Sequence, residues 1–297
     1  MAVAFPGFEQ KRITIESEDG SIEIACQIGG SGPALLLLHG FPQTKAIWHQ
    51  VAPALANNFT VIASDLRGYG ESSKPHSKND HSTYSKRSLA SDQHGLMKAL
   101  GHDQFFLLGH DRGGRVSHRL AADYPESVLS LMVLDISPTL TMYEQTSMDF
   151  AKGYWHWFFL IQPEPIPETL IGANPEFWLK NHMGRHAGTG IFTADRWNEY
   201  LAGASNPQSM HAMCEDYRAA ATIDLVHDRA DRAANKQLEM PLRVLWGEHG
   251  LVNKCFKPLE DWQKVANTVS GKAVPCGHYI PEEMPELVIE EAKSFFK

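Results

Sequence analysis

The segment Phe105–Arg115, with the sequence FFLLGHDRGGR, constrains the fold of this chain more than any other segment. Its apolar run, Phe105–Leu108, predicts a buried strand, and the Gly-His-Asp-Arg-Gly pattern that follows is typical of a sharp strand-to-helix turn. Such a turn, a nucleophile elbow, holds its central side chain at the head of the helix, in the positive field of the helix N-terminus. The central residue is Asp111. The pattern therefore predicts either a carboxylate nucleophile or an aspartate that only caps the helix Gly113–Tyr124.

The identity of the central residue indicates the electrophile. A serine in this position attacks acyl carbons. A carboxylate that displaces a leaving group from saturated carbon becomes an ester, which water can still cleave, whereas a serine doing the same would be left as an inert ether. Asp111 as a nucleophile thus favours attack on saturated carbon.

Apolar runs alternate with helical patterns along both halves of the chain. This alternation predicts an α/β fold with a mostly parallel sheet covered on both faces, whose active site lies at the carboxyl ends of the strands. Asp19-Gly20, between the alternating segments Arg12–Glu16 and Ser21–Gln27, predicts an antiparallel hairpin at one edge. The other predicted strands are Ala34–Leu38, Phe59–Ala63, Leu131–Leu134, Leu242–Trp246 and Lys272–Val274, and the predicted helices include Ile47–Leu55, Ser88–Leu100, Leu259–Val265 and Glu286–Phe296.

The character of the sequence changes after Pro138. Residues 139–234 are rich in aromatic residues, Met, His and Pro, with short helical patterns and no convincing strand. We therefore expect a core formed by residues 1–138 and 235–297 and an inserted helical cap formed by residues 139–234.

Composition excludes several classes of partner. The net charge is −8 over 297 residues, which argues against nucleic acid or an anionic membrane as the main partner. The four cysteines are too widely spaced for a zinc site or a disulfide framework, and no segment has the length and apolarity of a membrane span or signal sequence. These features predict a soluble cytoplasmic protein.

The order of three residues adds a second constraint. Asp111 in the elbow, a later acid, and His278 in a Gly-His turn before the last helix follow the order of the α/β-hydrolase triad. The chain resembles the α/β-hydrolases with an aspartate nucleophile, which include haloalkane dehalogenases, soluble epoxide hydrolases and haloacetate dehalogenases. The motifs that carry the resemblance are HGFP at 39–42, DLRGYGES at 65–72, GHDRGGR at 109–115, LDISP at 134–138, YWHW at 154–157, DYRAA at 216–220, WGEHG at 246–250 and CGHYIPEE at 276–283.

The acid of the triad can follow either of two strands in these families. Many relatives place an aspartate in the turn after the strand Leu242–Trp246, but this chain has Gly247 at that position, followed by Glu248. Asp135, at the end of the preceding strand, is the better candidate, and this placement resembles the fluoroacetate dehalogenases and some haloalkane dehalogenases. Glu248 is the alternative, unless it is only a surface turn residue.

Two arginines beside Asp111 indicate the type of substrate. Haloalkane dehalogenases have a tryptophan directly after the nucleophile, whereas this chain has Arg112, with Arg115 one turn later. Guanidinium groups pair bidentately with carboxylates. The Asp-Arg-x-x-Arg pattern is similar to that of fluoroacetate dehalogenases, which implies that both arginines bind a substrate carboxylate. The alternative is a solvated helix face or an ion pair with Asp135.

The predicted cap contains candidate halide donors. The resemblance to fluoroacetate dehalogenases implies that His156, Trp157 and Tyr217 hold the departing halide, although an aromatic run is also typical of a cap core. Epoxide hydrolases instead use two cap tyrosines, and Tyr154 and Tyr217 could form such a pair.

The resemblance implies a hydrolytic dehalogenase that converts fluoroacetate or another small 2-haloacetate to glycolate and halide. Asp111 would form an ester that water activated by His278 then cleaves, with the backbone N–H groups of Phe41 and Arg112 holding the oxyanion. No metal or organic cofactor is expected, and the family suggests a homodimer. An epoxide hydrolase and a non-catalytic small-molecule receptor remain alternatives.

Overall fold

A central sheet organises the computed structural model, which describes residues 4–188 and 190–297. The strands are β1 (Glu9–Ser17), β2 (Gly20–Gly29), β3 (Ala34–Leu38), β4 (Thr60–Ser64), β5 (Phe105–His110), β6 (Val128–Leu134), β7 (Leu242–Gly247) and β8 (Val269–Val274). Within the described residues they form one sheet in the order β1-β2-β4-β3-β5-β6-β7-β8. β1 and β2 form an antiparallel hairpin, β2 is antiparallel to β4, and every other pairing is parallel. The predicted α/β class is confirmed.

Helices connect the strands and cover the sheet. They are α1 (Ala52–Leu55), α2 (Lys86–Ala99), α3 (Arg112–Asp123), α4 (Thr139–Glu144), α5 (Met148–Gly153), α6 (Trp155–Leu160), α7 (Ile166–Gly172), α8 (Pro175–Ala187), α9 (Ala194–Ser205), α10 (Pro207–Ala221), α11 (Ile223–Ala233), α12 (Leu251–Cys255), α13 (Pro258–Trp262), α14 (Ile280–Glu283) and α15 (Pro285–Phe295). Short 3-10 helices occupy Lys45–Trp48 and Ser82–Tyr84.

One predicted helix is wrong as a continuous element. Instead of a helix over Ile47–Leu55, the chain has the 3-10 helix Lys45–Trp48 and then the single-turn helix α1. Pro53 is the reason, because proline fits the first turn of a helix but not its interior. The predicted strand Lys272–Val274 is also too short, since β8 begins at Val269.

The parallel strands are buried on both faces. In β3, Leu36 and Leu38 pack into one apolar cluster, and Leu35 and Leu37 pack into a second cluster. This alternation follows from the twofold period of a strand, and it explains why the sequence of β3 is continuously apolar.

Helices α4–α11 lie between β6 and β7, and we refer to them as the cap helices. Buried aromatic residues of these helices, Trp157 and Tyr217 among them, belong to the same apolar cluster as Phe41 and Val116 of the sheet side. The cap helices therefore pack on the sheet side of the molecule rather than forming a separate apolar core. The division into a core (1–138 and 235–297) and a cap (139–234) stays a prediction.

The sheet topology places several strand ends side by side. β3, β5, β6, β7 and β8 are consecutive and parallel, so the loops after them emerge at one edge. These loops carry the HGFP segment, Asp111, Asp135 and His278, and Gly247 is the last residue of β7. Residues far apart in the sequence are thus assembled at one edge of the sheet.

Candidate active site

The backbone of the elbow holds Asp111 in an unusual conformation. Its φ is +46° and its ψ is −116°, a region that residues with a Cβ seldom occupy. The flanking glycines permit close approach: a Cβ on Gly113 would lie 2.3 Å from the carbonyl oxygen of His39, and one on Gly109 would lie 2.4 Å from Ser117 Oγ. The strain therefore lies on Asp111 itself, and the glycines allow the neighbouring chain to pack against it.

The carboxylate of Asp111 does not cap α3. It makes no side-chain capping hydrogen bond, and its Oδ2 accepts a hydrogen bond of 3.1 Å from the backbone N–H of Phe41. Burial raises the pKa of Asp111, but the opposing charges of His278, His110, Arg115 and Arg112 bring the pKa below its usual value. Asp111 is therefore a buried, ionised carboxylate.

His278 lies against Asp135. Its Nδ1 is 2.5 Å from Asp135 Oδ2, and Asp135 Oδ1 accepts a hydrogen bond of 2.9 Å from the N–H of Gly247. Glu248, the alternative acid, is exposed on the turn after β7. The structure thus brings together Asp111, His278 and Asp135, and leaves Glu248 outside the site.

Two further residues contact the histidine. His110 Nε2 lies 2.8 Å from the carbonyl oxygen of His278, and burial together with the charge of His278 lowers the pKa of His110 to about 3. A neutral His110 can donate from Nε2 and so fix the loop that carries His278. The hydroxyl of Tyr154 lies 3.5 Å from His278 Nδ1.

Arg112 and Arg115 are both buried. The alternative ion pair between Arg112 and Asp135 is not formed. Arg112 instead pairs with Asp216 on α10, and the Nε–Oδ2 and Nη2–Oδ1 distances are 3.0 Å each. Arg115 Nη1 donates to Ser137 O and to Thr139 Oγ1. Arg112 Nη1 and Arg115 Nε have no hydrogen-bond partner among the described residues.

The predicted halide donors form an aromatic wall next to these guanidinium groups. His156 and Trp157 on α6 and Tyr217 on α10 are all buried. Arg112 Cζ lies 4.0 Å from the centroid of the Tyr217 ring, and Arg115 Cζ lies 4.7 Å from that of Trp157. Burial and the nearby charge of Asp111 raise the pKa of Tyr217 well above its usual value, so its phenol keeps its proton.

Phe41 completes this wall. Its ring stacks on His156 at 6.1 Å and meets Tyr217 edge-on at 5.0 Å. The backbone of Phe41 therefore contacts the Asp111 carboxylate while its side chain lines the aromatic wall.

A buried charged group lies behind Arg112 and is not predicted from the sequence. Asp216 accepts hydrogen bonds from Arg112, from the Nζ of Lys86 on α2, and from the hydroxyl of Tyr69 at 2.8 Å. The available signal is an acid directly before Tyr217, a candidate halide donor, in the DYRAA motif of the predicted cap.

Among residues 4–188 and 190–297, no cluster of three or more His, Cys, Asp or Glu side chains is arranged to hold a metal ion. No helix in the same ranges has the length and apolarity needed to cross a membrane.

Comparisons with known proteins agree with this architecture. A family model described as alpha/beta hydrolase fold matches residues 33–285. A fluoroacetate dehalogenase from Burkholderia sp is 44% identical over 95% of this chain and 91% of its own length, and a soluble epoxide hydrolase from Corynebacterium sp. is 35% identical over 90% and 91%. The crystal structure of a putative alpha/beta hydrolase from Nostoc sp superposes with a TM-score of 0.95 at 48% identity, covering 99% of both chains. The chain therefore belongs to the α/β-hydrolase superfamily and, within it, to the haloacetate dehalogenase family.

Proposed function

We propose that this protein is a hydrolytic dehalogenase that converts fluoroacetate or other small 2-haloacetates to glycolate and halide. The observation that carries the proposal is the pair of buried guanidinium groups beside the ionised Asp111, each with one N–H nitrogen that lacks a partner among the described residues. An unsatisfied buried donor costs about 1–3 kcal/mol, so two of them at one site favour an anionic ligand. The relationship to a fluoroacetate dehalogenase supports the same substrate class.

In the first step, Arg112 and Arg115 bind the substrate carboxylate and align its Cα with Asp111. The carboxylate oxygen of Asp111 forms a bond to Cα as the carbon–halogen bond breaks, and the halide leaves with the bonding electron pair. His156, Trp157 and Tyr217 donate to the halide as its charge grows, which stabilises the transition state more than the bound substrate.

In the second step, His278 takes a proton from water, and the water oxygen attacks the carbonyl carbon of the Asp111 ester. Asp135 orients the imidazole and stabilises its protonated form. The oxyanion develops on the oxygen that the Phe41 N–H contacts, and the backbone N–H of Arg112, at the start of α3, is the second donor. Glycolate leaves with the proton from His278, and Asp111 ionises again.

An epoxide hydrolase is the second candidate, because a soluble epoxide hydrolase is among the relatives. It requires two cap tyrosines, Tyr154 and Tyr217, to protonate the opened oxide. The Tyr154 hydroxyl lies 3.5 Å from His278 Nδ1. A neutral epoxide has no carboxylate that could pair with the two buried arginines. The buried arginines therefore favour the dehalogenase over the epoxide hydrolase. The assembled Asp111, Asp135 and His278 argue against a non-catalytic receptor.

Trapping of the ester tests the proposed function. The His278→Asn variant should form the ester but not hydrolyse it, so incubation with fluoroacetate or chloroacetate should add one carboxymethyl group to the intact mass, located on Asp111 by peptide mapping. The matched Asp111→Asn variant should gain no mass. A folded His278→Asn protein without the adduct would contradict the two-step mechanism, and diol formation from epoxides by the unmodified enzyme would favour the alternative.

We also propose that the protein is a cytoplasmic homodimer. All four cysteines are free, as expected in a reducing compartment. The cap helices expose several large apolar side chains: Trp155, Ile166, Leu170 and Phe177. Contiguous exposed apolar patches mark interaction surfaces, and these side chains are the candidates for such a patch. Light scattering is expected to give twice the mass of one chain.

A further inference from the structure

We propose that Asp216 is a positioning residue for substrate binding. It binds the Nε–Nη2 edge of Arg112, so that Nη1 is directed to the substrate carboxylate and the guanidinium cannot pair with Asp111. This inference rests on the proposed function of the same site. Asp216 is neither the nucleophile nor a proposed halide donor, and its carboxylate accepts hydrogen bonds from Arg112, Lys86 and Tyr69.

The hold on Arg112 is bidentate and fully buried. Asp216 Oδ2 accepts from Nε and Oδ1 accepts from Nη2, both at 3.0 Å, and the backbone carbonyl of Asp216 accepts from Nη2 at 2.7 Å. Neither side chain is exposed to solvent. These three bonds fix the plane of the guanidinium. The remaining nitrogen, Nη1, has no hydrogen-bond partner among the described residues.

A carboxylate beside Arg112 would by itself cancel the charge that the substrate needs. Lys86 removes this difficulty, because its buried ammonium group pairs with Asp216 Oδ1. Tyr69 donates a hydrogen bond of 2.8 Å to Oδ2. Lys86 Nζ also lies 3.5 Å from Asp224 Oδ2, and burial raises the pKa of that second carboxyl. Burial lowers the pKa of Arg112, but the charge of Asp216 raises it well above its usual value, so Arg112 keeps its positive charge for the substrate.

Without Asp216, the nucleophile becomes the competing partner for Arg112. Asp111 is the preceding residue, and its buried carboxylate is influenced by the charges of both arginines. Guanidinium groups pair bidentately with carboxylates wherever the geometry allows. An Arg112–Asp111 ion pair would occupy the attacking oxygen and withdraw a donor from the substrate. Asp216 prevents this pairing by occupying the Nε–Nη2 edge.

The chain offers a matched control. Asp92 and Arg67 form a second buried bidentate pair, with Nε–Oδ2 and Nη2–Oδ1 distances of 2.7 and 2.6 Å. Asp92→Asn therefore reproduces the loss of a buried Asp–Arg pair, and this pair consists of two residues outside the proposed site. Comparison with Asp216→Asn separates a positioning effect from a general loss of packing.

The experiment measures chloride release from chloroacetate by the full-length protein. Asp216→Asn should raise KM by about tenfold or more, with a smaller change in kcat, because it disturbs carboxylate binding before the halide leaves. Asp92→Asn should leave both constants within about twofold of the unmodified enzyme. In an Arg112→Gln background, the further change Asp216→Asn should alter KM by less than about twofold, because Asp216 acts through Arg112.

Folding of each variant is checked by circular dichroism. If Asp216→Asn does not fold, Lys86→Met is the substitute, since an unbalanced Asp216 should also weaken substrate binding and raise KM. Additive losses in the Arg112→Gln background, or equal effects of Asp216→Asn and Asp92→Asn, would overturn the role of Asp216 while leaving the dehalogenase intact. An unmodified enzyme that releases no halide from chloroacetate or fluoroacetate would instead overturn the proposed function, and this role with it.

Discussion

Two buried arginines of this protein each pair with an aspartate, but they differ in whether the third guanidinium nitrogen has a hydrogen-bond partner. Arg67 and Arg112 each present the Nε–Nη2 edge to an aspartate, Asp92 and Asp216 respectively. The third nitrogen differs. Arg67 Nη1 donates to the carbonyl oxygen of Thr83 at 2.9 Å and pairs with Asp19, whereas Arg112 Nη1 has no partner among the described residues.

We interpret this difference as one between an arginine that supports the fold and one that, in the proposed function, binds the substrate carboxylate. Nearly all buried polar groups in folded proteins are hydrogen-bonded, so a buried guanidinium nitrogen without a partner needs an explanation. Its persistence beside an ionised Asp111 is explained if a substrate carboxylate is the missing acceptor. Arg67 shows that the same fold can satisfy all three guanidinium nitrogens where no ligand is expected.

The largest expected effect comes from removing each arginine in turn. Arg112→Gln should lower kcat/KM for chloroacetate by about 100-fold or more, which corresponds to roughly 3 kcal/mol of lost transition-state stabilisation. Arg67→Gln should leave the activity of the folded protein nearly unchanged but lower the free energy of unfolding by about 3–5 kcal/mol, because it strands the buried Asp92 carboxylate. Steady-state kinetics and urea denaturation of both variants measure the two effects.

Arg115 provides a test of consistency for this prediction. Its Nη1 is satisfied by Ser137 and Thr139, and its Nε is not satisfied among the described residues. Arg115→Gln should therefore behave like Arg112→Gln in kcat/KM. If instead Arg67→Gln and Arg112→Gln lower kcat/KM to the same extent, an unsatisfied nitrogen does not mark a ligand site in this protein.

The sequence predicted the parts of the site that depend on local pattern. The elbow around Asp111 and the strands leading to Asp135 and His278 are contiguous motifs, and strand ends of a parallel sheet converge for topological reasons. The helix predicted over Ile47–Leu55 is wrong because its apolar pattern continues through Pro53, which fits only the first turn of a helix.

The partner of Arg112 could not be predicted in the same way. Asp216 lies 104 residues further along the chain, on a cap helix whose rotation depends on packing rather than on local pattern. The sequence alone predicts that both arginines offer a complete planar edge to the substrate. In the structure, Asp216 occupies the Nε–Nη2 edge of Arg112. The proposed function therefore leaves only Nη1, which has no partner among the described residues, for the substrate carboxylate.

A smaller effect is expected when the comparison is extended from arginines to the two tyrosines around Asp216. The hydroxyl of Tyr69 donates to Asp216, whereas Tyr217 belongs to the aromatic wall beside Arg112. Fluoride is a smaller and stronger hydrogen-bond acceptor than chloride, so loss of a donor to the halide should slow fluoride release more. Tyr217→Phe should therefore lower kcat for fluoroacetate by about tenfold, or roughly 1.4 kcal/mol, with a smaller loss for chloroacetate.

Tyr69→Phe should leave the ratio of the two rates unchanged, since its hydroxyl is directed to Asp216. Halide-selective electrodes measure both rates, and an unchanged ratio in Tyr217→Phe would mean that Tyr217 only packs the cap and does not bind the halide.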